Sequence, residues 1–222
     1  MTHARQLAIA FTLILAVGIA TAQEPSLAQQ AAAARAHSPS TQTTPTALGH
    51  IVQGDYYNEV LGFQIRHIRG WTSLSRGSMN VDEALGREAL GLQAGINQSG
   101  NRAFGIHDEE GNNVMVTIVP IPAGATPDPS ALKSAMVNVL KAQIPNAEIS
   151  DESLLLGDNM HRFAGLHATY TIANQEIFQS LQVVVVNGYT VSIATTSLSA
   201  EQLRSLLNQL RASLQWTQPS AQ

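Results

Sequence analysis

The chain holds no cysteine among its 222 residues. That excludes disulfides, thiolate metal sites, a cysteine nucleophile and a lipid-bearing cysteine behind an export signal. Charge is scarce too: Asp, Glu, Lys and Arg make up 13% of the residues, the net is −4, and lysine occurs only at Lys133 and Lys141. Nucleic acid and anionic membrane surfaces are recognised through clustered Lys and Arg, so neither is an expected partner. Catalytic signatures are missing as well. There is no G-x-S-x-G elbow, no H-E-x-x-H, no Walker loop and no dinucleotide glycine fingerprint. No residue is therefore assigned as catalytic, cofactor-binding or metal-binding, and no cofactor is expected.

What is present begins with an export signal. Residues 1–22 open with Arg5, continue with the apolar run 7–20 and end in Ala20-Thr21-Ala22. This reads as a cleavable secretory signal peptide. The apolar run falls short of the roughly 20 residues that a spanning helix needs. Residues 23–50 are built of Ala, Gln, Ser, Thr and Pro, with Leu27 and Leu48 as the only large apolar side chains. Such a segment buries too little to offset the entropy of ordering, so it is expected to be a disordered tether. The globular domain is expected over 51–217, followed by a disordered tail at 218–222. The product is therefore expected to be exported, periplasmic or secreted, and not a lipoprotein.

Within the domain, Phe63, Ile65 and His67 alternate with Gln64, Arg66 and Ile68, which predicts a strand. Residues 81–94 are helix-like in composition, although Gly86 and Gly91 each cost about 1 kcal/mol in a helix interior. Residues 103–107 and 114–119 read as two strands joined by a solvated hairpin tip, "DEEGNN". Asp128 as N-cap and Pro129 at the first helical position open an amphipathic helix that Ile144-Pro145 stops.

Three strands follow, over 160–172, 176–186 and 189–195. Asn187-Gly188 joins the last two because a type I′ turn needs positive φ at both central residues. The run Val183 to Val186 has no polar side, so its strand should be central and covered on both faces. Ser199 and Gln202 form a capping box for a last helix whose stripe is Leu203, Leu206, Leu207, Leu210 and Leu214. The fold class is α/β of the α+β type: an antiparallel sheet sandwiched by helices on both faces.

The stretch "YYNEVLGFQIRHIRGW", residues 56–71, gathers four aromatics in a chain that has only 5% of them. It resembles the opening of PsbP-like domains (the Mog/PsbP/DcrB type), which run aromatic-x-Asn, Leu-Gly-Phe, then a strand closing in Pro-x-Gly-Trp. Ile68 stands where that family usually has proline. "HRFAGLHATYTI", "QSLQVVVVNGYTVSIAT" and "LRASLQW" are similar to the family's final strands and last helix. The resemblance implies an αβα sandwich of the Mog/PsbP type and carries over no catalytic residues. On this reading 56–71 is a folding signature, with Phe63 and Ile65 in the covered face and Trp71 plugging the end of the core.

Two groups of residues have the side-chain types of ligand or catalytic chemistry. His161 and His167 share the 160–172 strand but lie about 20 Å apart at ~3.3 Å per residue, too far for one ion. The run 107–113 has the oxygen ligands of a calcium loop without its alternating spacing or distal glutamate. The function expected is a non-enzymatic accessory or binding domain of the cell envelope, acting on an envelope protein or a small ligand. The alternative is an exported hydrolase with dispersed groups such as Asp108, Glu109, His161 and His167. An enzyme should gather those groups in one place, and an accessory domain should scatter them.

Overall fold

Local signals set several of the elements. Asp128 has extended backbone, its carboxylate accepts from the Ser130 N–H, and Pro129 opens helix α1 (Pro129–Gln143). Ser199 does the same for α2 (Ala200–Ser213), its hydroxyl accepting from the Gln202 N–H. Asn187 and Gly188 both take positive φ, 48° and 78°, between strands β9 (Gln175–Val186) and β10 (Tyr189–Ser197). The computed structural model describes residues 48–75, 78–79, 102–121, 124, 128–152, 156, 161, 163–172 and 174–217. The expected signal peptide, the tether up to residue 47, the helix-like segment 81–94 and the tail 218–222 lie outside the described residues.

Two antiparallel sheets carry the fold. The smaller runs in the order β1 (His50–Val52), β2 (Asp55–Asn58), β3 (Phe63–Ile65) and β11 (Leu214–Trp216). The larger runs β4 (Thr72–Ser73), β5 (Arg102–His107), β6 (Asn113–Pro120), β10, β9, β8 (Ala164–Ile172) and β7 (Glu148–Glu152). With α1 and α2 this is an α+β protein built mostly on antiparallel pairing. β9 sits between β10 and β8; in the run Val183 to Val186 the side chains of Val183, Val184 and Val186 are buried and that of Val185 is half-buried. Ile177, Leu181 and Val183 pack with Leu132, Met136 and Leu140 of α1. Val184 and Val186 pack instead with Leu206 and Leu210 of α2 and with Tyr56, Phe63 and Ile65 of the small sheet.

Four expectations change. Leu48, assigned to the tether, is buried, and its carbonyl accepts from the Tyr56 hydroxyl at 3.1 Å. A leucine that reaches a core gains the burial of its whole side chain. Trp71 is half-buried at the edge of the core and does not plug it; the fully buried aromatics of that stretch are Tyr56 and Phe63. β3 stops at Ile65 because the Arg66 N–H turns to the Ser213 carbonyl, and His67 lies outside the strand with its N–H on the Asp55 carboxylate. Leu214 is buried but no longer helical: it caps α2 and starts β11, pairing with Ile65.

Candidate functional site

Register across four strands assembles a polar row on one face of the larger sheet. Ser150 on β7 pairs with His167 on β8, His167 with Ser180 on β9, and Ser180 with Thr195 on β10. Directly paired residues in an antiparallel sheet share a face, with Cβ atoms about 5 Å apart. The face is the one toward α2, since Thr195 pairs in turn with Val114 of the α2 cluster. The row runs from exposed to sealed: Ser150 is exposed, His167 half-buried, Ser180 0% and Thr195 1% exposed. Gln182, 1% exposed, donates from Nε2 to the Ser180 hydroxyl at 3.0 Å. The Thr195 hydroxyl is sealed from solvent and meets no hydrogen-bond partner among the described residues.

Gln182 owes its position to Gly165, the residue opposite it on β8. A Cβ at 165 would overlap the Gln182 carboxamide, so the glycine leaves the space in which that amide lies. A second polar ladder crosses the other face. Tyr170 donates to Gln179 Oε1 at 3.3 Å, and Gln179 Nε2 donates to the Thr196 hydroxyl at 3.2 Å. Thr196 pairs with Asn113, and Asn113 with His107. Burial pushes the Tyr170 phenol well above the ordinary tyrosine value, because charge is penalised away from water.

Asp108, Glu109, His161 and His167, the candidate hydrolytic groups, fall in separate places. Asp108 and Glu109 lie at the β5–β6 turn, where Glu110 bonds Gln202 in the first turn of α2. His161 stacks on Trp216, beyond the other end of α2. Fourteen helical residues separate those ends, about 20 Å at 1.5 Å per residue. His167 is four strands from β5, about 19 Å at 4.8 Å per strand. His161 is also outside β8, which starts at Ala164, so the two histidines do not share a strand. Among the described residues no group of three or more His, Cys, Asp or Glu could hold a metal ion.

The 107–113 run is less solvated than a hairpin tip should be, since Asn112 and Asn113 are buried. The Asp108 carboxylate accepts three hydrogen bonds, from the Glu110 and Asn112 N–H groups at 2.9 Å each and from Asn112 Nδ2 at 2.6 Å. It is committed to closing its own turn.

Sequence reasoning singled out His167 but missed Ser180, Gln182 and Thr195, which sit in strands that read as apolar. The available signal was that Ser180 and Gln182 alternate with Leu181 and Val183, which puts polar side chains on one face of a strand expected to be central.

No family model matches the chain, and no curated protein matches it. Solved structures similar to it include cyanobacterial PsbP (CyanoP) from Synechocystis sp. PCC 6803, at 12% identity and a TM-score of 0.47, covering 76% of this chain and 96% of that one. PsbP is the family that residues 56–71 resemble. Another is LpqN of Mycobacterium tuberculosis, described as involved in cell envelope biogenesis, at 13% identity and a TM-score of 0.45, covering 70% and 83%. A third, from Bacteroides thetaiotaomicron, has 10% identity and a TM-score of 0.45, covering 77% of this chain and 51% of that one. Among the described residues no helix is long and apolar enough to cross a membrane.

Proposed function

We propose that the chain is an exported, non-enzymatic accessory or binding domain of the cell envelope, acting on another envelope protein or a small ligand. The observation that carries this reading is the scatter of Asp108, Glu109, His161 and His167 over separate parts of the fold, where general acid–base work would need them within reach of one reacting centre. Ser180 and His167 are neighbours, but a hydroxyl with no exposed surface is a poor nucleophile for an external substrate. The same reading takes the fold as a Mog/PsbP-type αβα sandwich; the division of buried residues between an α1 cluster and an α2 cluster supports it.

Export rests on the N-terminal pattern, with Gln23 as the first mature residue, the absence of cysteine ruling out lipid attachment after the signal. The binding surface we favour is the half-open part of the polar row, Ser150 and His167. Two measurements test the reading. Intact-mass analysis of the exported protein should show loss of residues 1–22, whereas full-length chain in the membrane fraction would replace export with anchoring. Crosslinking of the tagged mature protein in envelope extracts should capture a partner that Ser150→Arg and His167→Ala both lose; capture unaffected by either moves the binding surface elsewhere.

A further inference from the structure

Of all the asparagines in the chain, Asn187 alone is followed by glycine. That dipeptide carries a chemistry of its own. The backbone nitrogen after an asparagine can attack the carboxamide carbon, and a side chain on the attacking residue crowds the approach; glycine has none. Asn187 and Gly188 are both exposed, and apart from the chain neighbours no atom lies within 4 Å of where a Cβ on Gly188 would stand. Water and the bases of the solvent therefore reach the turn.

The fold restrains this chemistry without removing it. Asn187 Nδ2 donates to the Val60 carbonyl at 3.2 Å, which aims the carboxamide across at the β2–β3 loop. The Gly188 carbonyl accepts from the Ile121 N–H at 2.9 Å. Attack on the carboxamide needs Asn187 to turn about its own backbone and side-chain bonds, so the amide must leave Val60 and Gly188 must swing. Both ties sit at a hairpin tip, where local opening is far easier than unfolding of the sheet. The tie to Val60 also joins the two sheets, because β9 and β10 belong to the larger and β2 and β3 to the smaller.

We propose that Asn187 is a site of spontaneous deamidation, and that its conversion unties the β2–β3 loop from the β9–β10 turn. The Gly188 nitrogen gives its proton to a solvent base and attacks Asn187 Cγ; the Cγ–Nδ2 bond breaks, ammonia leaves and a succinimide closes. Water then opens the ring at one carbonyl or the other, leaving aspartate or isoaspartate. In either product the amide donor is gone and a carboxylate stands near the Val60 carbonyl, with the Glu59 carboxylate in the adjacent residue. Isoaspartate also adds a carbon to the backbone of a turn whose length sets the hairpin geometry. The reaction needs water alone, so it does not depend on whether the domain is an accessory protein.

Incubation of the full chain in mildly alkaline buffer, followed by peptide mapping and enzymatic labelling of isoaspartate, tests the site. In the folded chain Asn187 should convert ahead of every other asparagine, at a rate roughly tenfold below that of the same chain unfolded in urea. Gly188→Ala should suppress the conversion in the unfolded chain, where its positive φ of 78° no longer matters. Asn187→Asp supplies one of the two products directly. In it the Leu61 and Gly62 amides, both bonded to Asn58, should exchange with solvent roughly threefold faster while β9 and β10 stay protected. Another asparagine converting first in the folded chain, or no conversion at Asn187 over a time that converts the unfolded chain many times over, overturns the site. Unchanged exchange at Leu61 and Gly62 in Asn187→Asp overturns the untying.

Discussion

The imidazole of His161 lies flat on the indole of Trp216, with ring centroids 3.7 Å apart and planes inclined by 10°. The indole is held from several other sides: its Nε1–H donates to the Leu156 carbonyl at 3.1 Å, and Phe63 and Phe163 lie at 5.4 and 6.2 Å. Trp216 thus joins residues before β8 to the last strand of the small sheet. Trp216→Ala should cost about 3 kcal/mol, the low end for a large aromatic because the ring is half-buried. His161→Ala removes one stacked face and should cost about 1 kcal/mol. Urea denaturation of the two variants gives the order, and equal midpoints would show that the stack and not the indole's other contacts holds the corner.

The stretch 56–71 separates into buried and exposed members. Tyr56 and Ile65 have no exposed surface, and Tyr56 stacks on Phe104 at a centroid distance of 5.0 Å. Tyr56→Ala should therefore cost about 3 to 5 kcal/mol and Trp71→Ala, at the core's edge, about half as much. Arg66→Ala keeps the backbone bond to Ser213 and should stay within about 0.5 kcal/mol of the parent. A Trp71→Ala loss as large as that of Tyr56→Ala would restore Trp71 as the plug.

How much of this was legible follows from the range of each interaction. The Asp128-Pro129 start, the Ser199 cap and the Asn187-Gly188 turn depend on residues within a few positions of one another, and all three can be read directly. The small sheet cannot be read this way, because β3 pairs with β11 across some 150 positions and nothing local announces it. The same holds for the polar row. Ser150, His167, Ser180 and Thr195 come from four strands, and only their register makes them neighbours. His161 was misplaced for a similar reason: its side chain is claimed by Trp216, a partner 55 positions away that nothing near residue 161 announces.

Burial holds the Tyr170 phenol above its ordinary value, so the folded chain keeps a proton that the unfolded chain releases at about pH 10. Above that pH the folded state binds more protons than the unfolded one, and stability falls as pH rises. The contribution is whole below about pH 10 and is lost beyond it. Denaturation midpoints from about pH 8 to about pH 11 should decline more steeply in the parent than in Tyr170→Phe. At neutral pH the variant should be weaker by about 1 kcal/mol, since the buried Gln179 amide loses a donor. Parallel pH profiles would place the proton elsewhere.

Gly165 and Gln182 make a sharper test of the row, because they face each other in register and only one of them can own the space between β8 and β9. Gly165→Ala places a methyl where the Gln182 carboxamide lies, and Gln182, with almost no exposed surface, has no solvent to swing into. Overpacking of this kind costs about 1 to 3 kcal/mol. No positive φ constrains Gly165, so backbone strain adds nothing. Gln182→Ala alone empties the space and removes the hydrogen bond to Ser180, with a cost of about 1 to 2 kcal/mol. Combined, the added methyl fills what the lost amide vacated. The double variant should be more stable than the sum of the single losses by about 1 kcal/mol or more, the size of coupling expected between residues in contact. Strict additivity would mean that the glycine serves some other purpose, and that Gln182 reaches Ser180 without its help.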